Sequence, residues 1–238
     1  MKRYAAITLL VVLTGFIATP LFSEPLPDFP LDSADVNAFD RALMQPYNGL
    51  LDDAATIVEL GMLAAPAAFL FVPGADWFND GLMYAETGLF SFGVRTLLKK
   101  AISRPRPCMY YDSYPAEMTE DDDWNESFPS GHTLMCFSTA SFITYMFNTR
   151  YPDSEWKVSA IACAYGIAAV TGFMRVISGN HFPTDVLTGA AVGTAAGFLI
   201  PWAHDTIREF IDTNWNSKGN ASVSTVMTPD TLGFSIHF

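Results

Sequence analysis

Eight residues in three short blocks carry the chemistry that this sequence could perform. In "KKAISRPRP", six residues separate Lys99 from Arg106, and Pro107 follows. In "FPSGHT", a hydroxyl, a glycine and an imidazole stand in a row at Ser130, Gly131 and His132. In "MRVISGNHFPTDV", His181 comes six positions after Arg175, and Asp185 four positions after His181. Arginine and lysine together suit an oxyanion, because a guanidinium presents a fork matched to phosphate oxygens and an ammonium adds a point charge. Gly131 lets the backbone come close, and the N–H groups of a helix opening near Thr133 would point at the same anion. Histidines beside such an anion can act as nucleophile or as proton carrier. Singly, each block has an ordinary explanation. Cations at helix ends complement the macrodipole or reach for water, Ser-Gly-His is a common helix start, and Pro183 with Asp185 suits a helix N-terminus. It is the conjunction of three blocks, in order and on three helix ends, that points to an anion site. The two histidines lack a third ligand at a zinc spacing, so neither a metal nor a cofactor is expected.

The elements that must position these blocks are five apolar runs, at 54–72, 82–98, 133–148, 158–174 and 186–203. Each is bounded by Pro, Gly, Asp or Asn, and none alternates strictly, so each reads as a helix. The expected fold is an all-α bundle of five helices, or six with the N-terminal run. Short antiparallel connections would bring all three blocks to one end. Gly189, Gly193 and Gly197 recur at every fourth position and should give the last helix a smooth stripe that another helix can approach closely. Lys2 and Arg3 precede an uncharged run up to Ser23, the pattern of a secretory signal or a first membrane anchor. Residues 24–53 read as an acidic exported linker, 54–205 as the helical domain, and 206–238 as a tail. In that tail, 205–212 reads as a short polar helix, followed by a β-hairpin about Pro229-Asp230.

Composition narrows the classes. The chain has 238 residues, a net charge of −12 and 50% hydrophobic residues, with only 16% charged. Its mean hydropathy is +0.21. That length suits one domain, and the acidic balance argues against nucleic acid as a partner. The apolar runs fall somewhat short of the ~20 residues of a full span, and Glu59, Glu86 and Arg95 interrupt two of them. The reading leans towards a membrane-embedded bundle, with an exported soluble helical domain as the alternative. Three cysteines are too few for a disulfide framework; Cys136 and Cys163 lie in apolar runs and read as core thiols. Glu117, Glu120, Asp121, Asp122, Asp123 and Glu126 read as a solvated acidic loop. The sequence sets no oligomeric state.

The three blocks together resemble the signature of the type 2 phosphatidic acid phosphatase and vanadium haloperoxidase superfamily: K-x6-R-P, then P-S-G-H, then S-R-x5-H-x3-D. One departure stands out, because Met174 occupies the place of the third block's serine. The resemblance runs over roughly 45–205 and includes the helix order. It implies that His181 is the nucleophile and forms a phosphohistidine, and that Asp185 hydrogen-bonds its imidazole. His132 would protonate the leaving oxygen and later activate water. Lys99, Arg106, Arg175, Ser130 and the Gly131 backbone would hold the phosphate. The function so implied is a metal-independent phosphatase for a phosphomonoester or pyrophosphate of a lipid. Candidate substrates are phosphatidic acid, phosphatidylglycerol phosphate, undecaprenyl pyrophosphate and the lipid A phosphates. The enzyme would sit in the inner membrane of a bacterial cell envelope with its site facing the periplasm. A soluble periplasmic acid phosphatase and a vanadate-dependent haloperoxidase are the alternatives within the same superfamily.

Overall fold

The computed structural model describes residues 26–72, 74–120 and 123–214, together with the backbone of 222–228 and 231–237. The N-terminal segment read as a signal or anchor lies outside the described residues, and so does the turn at Pro229-Asp230. Five long helices coincide with the five apolar runs. Helix α1 is Gly49–Ala64 and continues as a tighter 3₁₀ stretch, Ala65–Phe71. Helices α2, α3, α4 and α5 are Trp77–Ala101, Gly131–Thr149, Lys157–Ile177 and Pro183–Asn214. Local chemistry sets their starts. The Asn48 side chain accepts from Leu51 N at 3.2 Å to open α1, and Asp76 accepts from Asn79 N at 3.4 Å to open α2.

Helix α3 is the centre of the bundle, packed against α1, α2 and α4. Met62, Cys136, Ala140, Ile143, Ala164 and Ala168 form the main apolar cluster between them. Helix α5 lies against α3 through the glycine stripe. A methyl group on Gly193 would stand 3.0 Å from the Leu134 carbonyl carbon, and one on Gly197 would stand 2.6 Å from Ser141 Cβ. Small residues therefore bring two backbones together, as in membrane helix pairs. Hydroxyls bridge the other contacts: Ser91 to Ser138 at 2.8 Å, and Tyr84 to the Leu63 carbonyl at 2.8 Å.

The distribution of residues is inverted relative to a water-soluble protein. Lys99, Arg106, Arg175, His181 and Asp185 are buried. Leu50, Phe71 and Val158 are 79%, 86% and 77% exposed. Large apolar side chains facing outward around buried ions are what a hydrocarbon solvent requires. Gly49–Phe71, Lys157–Ile177 and Pro183–Asn214 are long and apolar enough to cross a membrane. Cys163, read from sequence as a core thiol, is exposed on this outward side, whereas Cys136 and Cys108 are buried. An apolar run does not reveal which of its faces turns inward.

Residues 26–48, read from sequence as linker, pack on the bundle. Leu31 N donates to the Met109 carbonyl at 3.0 Å, Asn48 N to that of Ser178 at 3.0 Å, and the one-turn helix Ala38–Ala42 carries the fully buried Asp40. The described residues divide into two compact units, with the boundary between Ile200 and Pro201. The separate polar helix expected at 205–212 is the last part of α5, which runs on with Pro201 inside it. Proline removes a donor, but its fixed φ is a helical one. Beyond it, strands β1 (Ser222–Thr228) and β2 (Thr231–His237) pair antiparallel, with Val223 opposite Ile236.

Candidate active site

His181 sits on the short connection between α4 and α5. The turn that presents it depends on Gly179, which closes α4 with φ +74°, in the left-handed region. A side chain there would also meet the Gln45 carbonyl oxygen at 2.7 Å. The imidazole is buried, and its Nδ1 lies 2.6 Å from the backbone carbonyl of Ser127. A carbonyl oxygen can only accept, so Nδ1 carries the proton and Nε2 keeps its lone pair. Burial pushes the imidazole pKa well below its ordinary 6.5, and the charges of Arg106, Arg175, Lys99 and His132 push it further down. The ring is therefore neutral, held in one tautomer, and surrounded by positive charge.

Asp185 is fully buried in the first turn of α5, but it does not take the place that the family resemblance implies for it. The expected direct bond to the His181 ring is replaced by the Ser127 carbonyl. Asp185 Oδ2 instead accepts from Ser127 Oγ at 2.6 Å and from Phe182 N at 2.8 Å, while Oδ1 pairs with Arg104. The carboxylate thus orients the residues on either side of the imidazole. The spacing from His181 to Asp185 fixed their separation along the chain but not which neighbour would reach the ring first. Arg104 ties this group down further. Its other nitrogen pairs with Asp40 at 2.7 Å, it donates to Thr184 Oγ1 at 2.8 Å, and its guanidinium stacks 4.1 Å from the Phe182 ring centroid. Burial raises the pKa of Asp40, but hydrogen bonds from Thr184, Arg104 and Asn37 outweigh burial and hold it below the usual carboxylate value.

The expected phosphate cations also converge here. Arg106 donates to the Asn180 carbonyl at 3.3 Å, next to His181, and grips the Asp123 carboxylate at 2.7 and 2.8 Å. Lys99 reaches Glu126, at 2.9 Å to its carbonyl and 3.3 Å to its carboxylate. Arg175 pairs with Asp52 through one terminal nitrogen, while its buried Nε has no partner among the described residues. A buried guanidinium N–H left unpaired is costly unless something else, such as an anion, accepts from it. Two acids of the loop read as merely solvated, Asp123 and Glu126, are therefore counter-ions of the site. Ser130 caps α3 by position, but its hydroxyl bonds to Thr133 Oγ1 at 2.9 Å instead of to the helix backbone. Its own N–H donates to the Asp185 carbonyl at 3.1 Å, which joins the second and third blocks. Helix α3 begins at Gly131, two residues before the expected start.

His132 faces α1. Its Nε2 lies 3.1 Å from Thr56 Oγ1 and 3.2 Å from the Glu59 carboxylate. All eight residues singled out in the sequence thus lie at one end of the bundle. Sequence reasoning missed Ser127, Arg104, Asp40, Asp52 and Glu59. Arg104 was in view inside "RPRP", and Glu59 was the charge interrupting an apolar run. The others carried no signal, because their partners are 58 to 144 positions away: Ser127 to Asp185 (|i−j| 58) and Asp40 to Thr184 (|i−j| 144).

A family model described as the PAP2 superfamily matches residues 81–209. A lipid A 1-phosphatase of Porphyromonas gingivalis is 39% identical over 93 residues, which is 39% of this chain and 19% of the relative. The chain spans less than half the length of the lipid A 1-phosphatases it matches. Phosphatidylglycerophosphatase B of Bacillus subtilis is 30% identical over 71% of this chain and 78% of its own. The crystal structure of Aquifex aeolicus LpxE aligns with a TM-score of 0.46 at 23% identity, covering 68% of this chain and 91% of that one.

Proposed function

The chain belongs to the PAP2 superfamily, and we propose that it is a metal-independent phosphatase acting on a lipid phosphate through a phosphohistidine. It is a membrane protein, with three helices long and apolar enough to span among the described residues and ions turned inward. One observation carries the proposal: a buried, neutral His181, with its Nδ1 proton held by the Ser127 carbonyl, lies within the field of Arg106, Arg175 and Lys99.

The mechanism follows from these groups. The phosphoryl oxygens displace Asp123, Glu126 and Asp52 from their cations and take the unpaired Arg175 Nε–H. His181 Nε2 attacks phosphorus, and the bond to the leaving oxygen breaks with its electron pair going to that oxygen. The proton that neutralises it arrives on the phosphate monoanion and is passed on by His132. The imidazolium that forms keeps its Nδ1–H on the Ser127 carbonyl, and Asp185 steadies Ser127. Water, deprotonated by His132, then attacks the phosphohistidine and releases inorganic phosphate. Fixed cations and N–H donors aimed at developing charge are the largest contribution such a site can make. The apolar outward surface favours a lipid over a soluble ester, because the substrate can arrive from the bilayer.

All three blocks lie at one end of the bundle, which in this reading faces the periplasm. A cysteine at Asn125 should then react with an impermeant thiol reagent in spheroplasts, and one at Asp153 should not. The deciding experiment is turnover of the detergent-solubilised chain on a panel of lipid phosphates with EDTA present. An acid-labile phosphoenzyme should be trapped in the wild type and absent in His181→Ala. No turnover, or turnover that survives His181→Ala, would reject the mechanism.

A further inference from the structure

Glu59 belongs to none of the three blocks. It interrupts the apolar run of α1, inside a segment, Gly49–Phe71, that is long and apolar enough to cross a membrane. An acid in such a segment is costly and turns inward to a partner or a ligand. The Glu59 side chain is only 13% exposed, and its carboxylate lies 3.2 Å from His132 Nε2. Thr56, three positions earlier and so on the same face of α1, reaches the same nitrogen at 3.1 Å. The Thr56 hydroxyl has one proton, which it donates to the Asp52 carbonyl at 3.1 Å. Its oxygen is therefore an acceptor towards His132, and a carboxylate can only accept. Both neighbours thus put the His132 proton on Nε2 and leave the lone pair on Nδ1.

The two histidines of the site are accordingly held in opposite tautomers. His181 keeps its proton on Nδ1, against the Ser127 carbonyl, and offers Nε2. His132 keeps its proton on Nε2, against α1, and offers Nδ1. The carboxylate–imidazole pair that the family resemblance implies at His181 is not made there, because Asp185 bonds to Ser127 and Phe182. It is made at His132 instead. The need for it at that ring is electrostatic. A proton carrier becomes an imidazolium part-way through each step, and His132 would do so among cations. Arg95 packs against the neighbouring Gly131, where a methyl group would lie 2.9 Å from its Cζ, and Arg106 and Arg175 are buried at the same end of the bundle. A carboxylate on the far nitrogen lowers the cost of that added charge.

We propose that Glu59 is the positioning residue of His132: it fixes the tautomer that leaves Nδ1 for the substrate, and it balances the ring's charge while the ring carries a proton. This rests on the phosphatase reading above. In the first step Nδ1 takes the proton of the phosphate monoanion and gives it to the leaving oxygen, as the bond from phosphorus to that oxygen breaks with its electron pair going to oxygen. In the second step Nδ1 takes a proton from water, and the water oxygen bonds to phosphorus. The phosphorus–nitrogen bond breaks, and its electron pair returns to His181 Nε2. Loss of the Nδ1 proton to bulk water then resets the ring. Throughout, the Nε2 proton stays on Glu59 and Thr56.

The test follows phosphoenzyme formation in the first turnover, on the full chain in detergent, with two substrates. Dodecyl phosphate releases an alkoxide that must be protonated to leave; 4-nitrophenyl phosphate releases a phenolate that leaves without a proton. Glu59→Gln should slow formation from dodecyl phosphate at least tenfold more than from 4-nitrophenyl phosphate, with KM changed less than threefold on either. Glu59→Ala should lose more, because the Gln amide oxygen still accepts from Nε2. Equal losses on the two substrates would make Glu59 a structural residue and overturn the proposal, as would no loss on either. Should both variants fail to fold, the wild type decides. The nitrogen resonances that vanish in His132→Asn should report an Nε2-protonated ring near neutral pH, and an Nδ1-protonated ring overturns the assignment. A wild type that forms no phosphoenzyme from either substrate would instead remove the phosphatase reading and this inference with it.

Discussion

Replacing Arg104 by Gln should destabilise the protein more than replacing Lys99, Arg106 or Arg175. The Asp40 and Asp185 side chains have no exposed surface, and Arg104 pairs with both. Asp40 would keep its bonds from Thr184 and Asn37, and Asp185 those from Ser127 and Phe182, but two buried negative charges would face each other without a cation. Removing one partner of a buried pair costs about 3–5 kcal/mol. For a chain of this length that is a drop of roughly 6–20 °C in midpoint, at about 2–4 °C per kcal/mol. Arg104→Lys keeps the charge but loses the fork that reaches both acids, so its loss should be intermediate. Adding Asp40→Asn to Arg104→Gln removes one of the stranded charges and should recover about 2 kcal/mol relative to additivity. Thermal unfolding in detergent, followed by intrinsic fluorescence, measures all four variants. A loss under about 1 kcal/mol for Arg104→Gln, or strict additivity with Asp40→Asn, would refute the idea that these acids are held by that one cation.

Three further outcomes are expected. His181 is neutral when folded, with a pKa well below 6.5, and the unfolded chain gains a proton near that value. As pH falls through 6.5 the unfolded state binds more protons, so stability should fall on the acid side. The nitrogen resonances that vanish in His181→Ala should report a neutral, Nδ1-protonated ring at pH 6, and a ring protonated there would contradict the burial argument. Ser127→Ala removes the 2.6 Å bond to Asp185 but leaves the backbone carbonyl on His181. It should cost about 1–3 kcal/mol, seen in kcat more than in KM, and an unchanged kcat would show that Asp185 acts by another route. Gly193→Ala should cost about 1–3 kcal/mol of stability through overpacking against Leu134, measured as a lowered midpoint.

The sequence alone determined the helices and the residue types gathered at the proposed site. Five apolar runs bounded by helix-ending residues became α1 to α5, because length, hydropathy and capping act locally. The glycines at every fourth position announced a close helix contact, since a missing Cβ has the same consequence in any bundle. The three blocks set out the groups of the proposed anion site, because the fork, the point charge and the imidazole are properties of residue types. Only the tertiary structure decided which groups touch. Four positions along the chain, Asp185 was expected on the His181 ring, yet a carbonyl from the loop before α3 arrives first and Asp185 turns to Ser127 and Arg104. Asp40 lay in a stretch that read as linker, and Asp123 and Glu126 in one that read as solvated loop, because an acidic side chain looks the same in sequence whether water or a buried cation surrounds it. Arg95 was only an interruption in a helix until Gly131, packed beside it, gave it a place. Local forces fix where a helix runs and what it carries; which side chain meets which depends on how distant segments pack, and one sequence spacing is compatible with several such meetings.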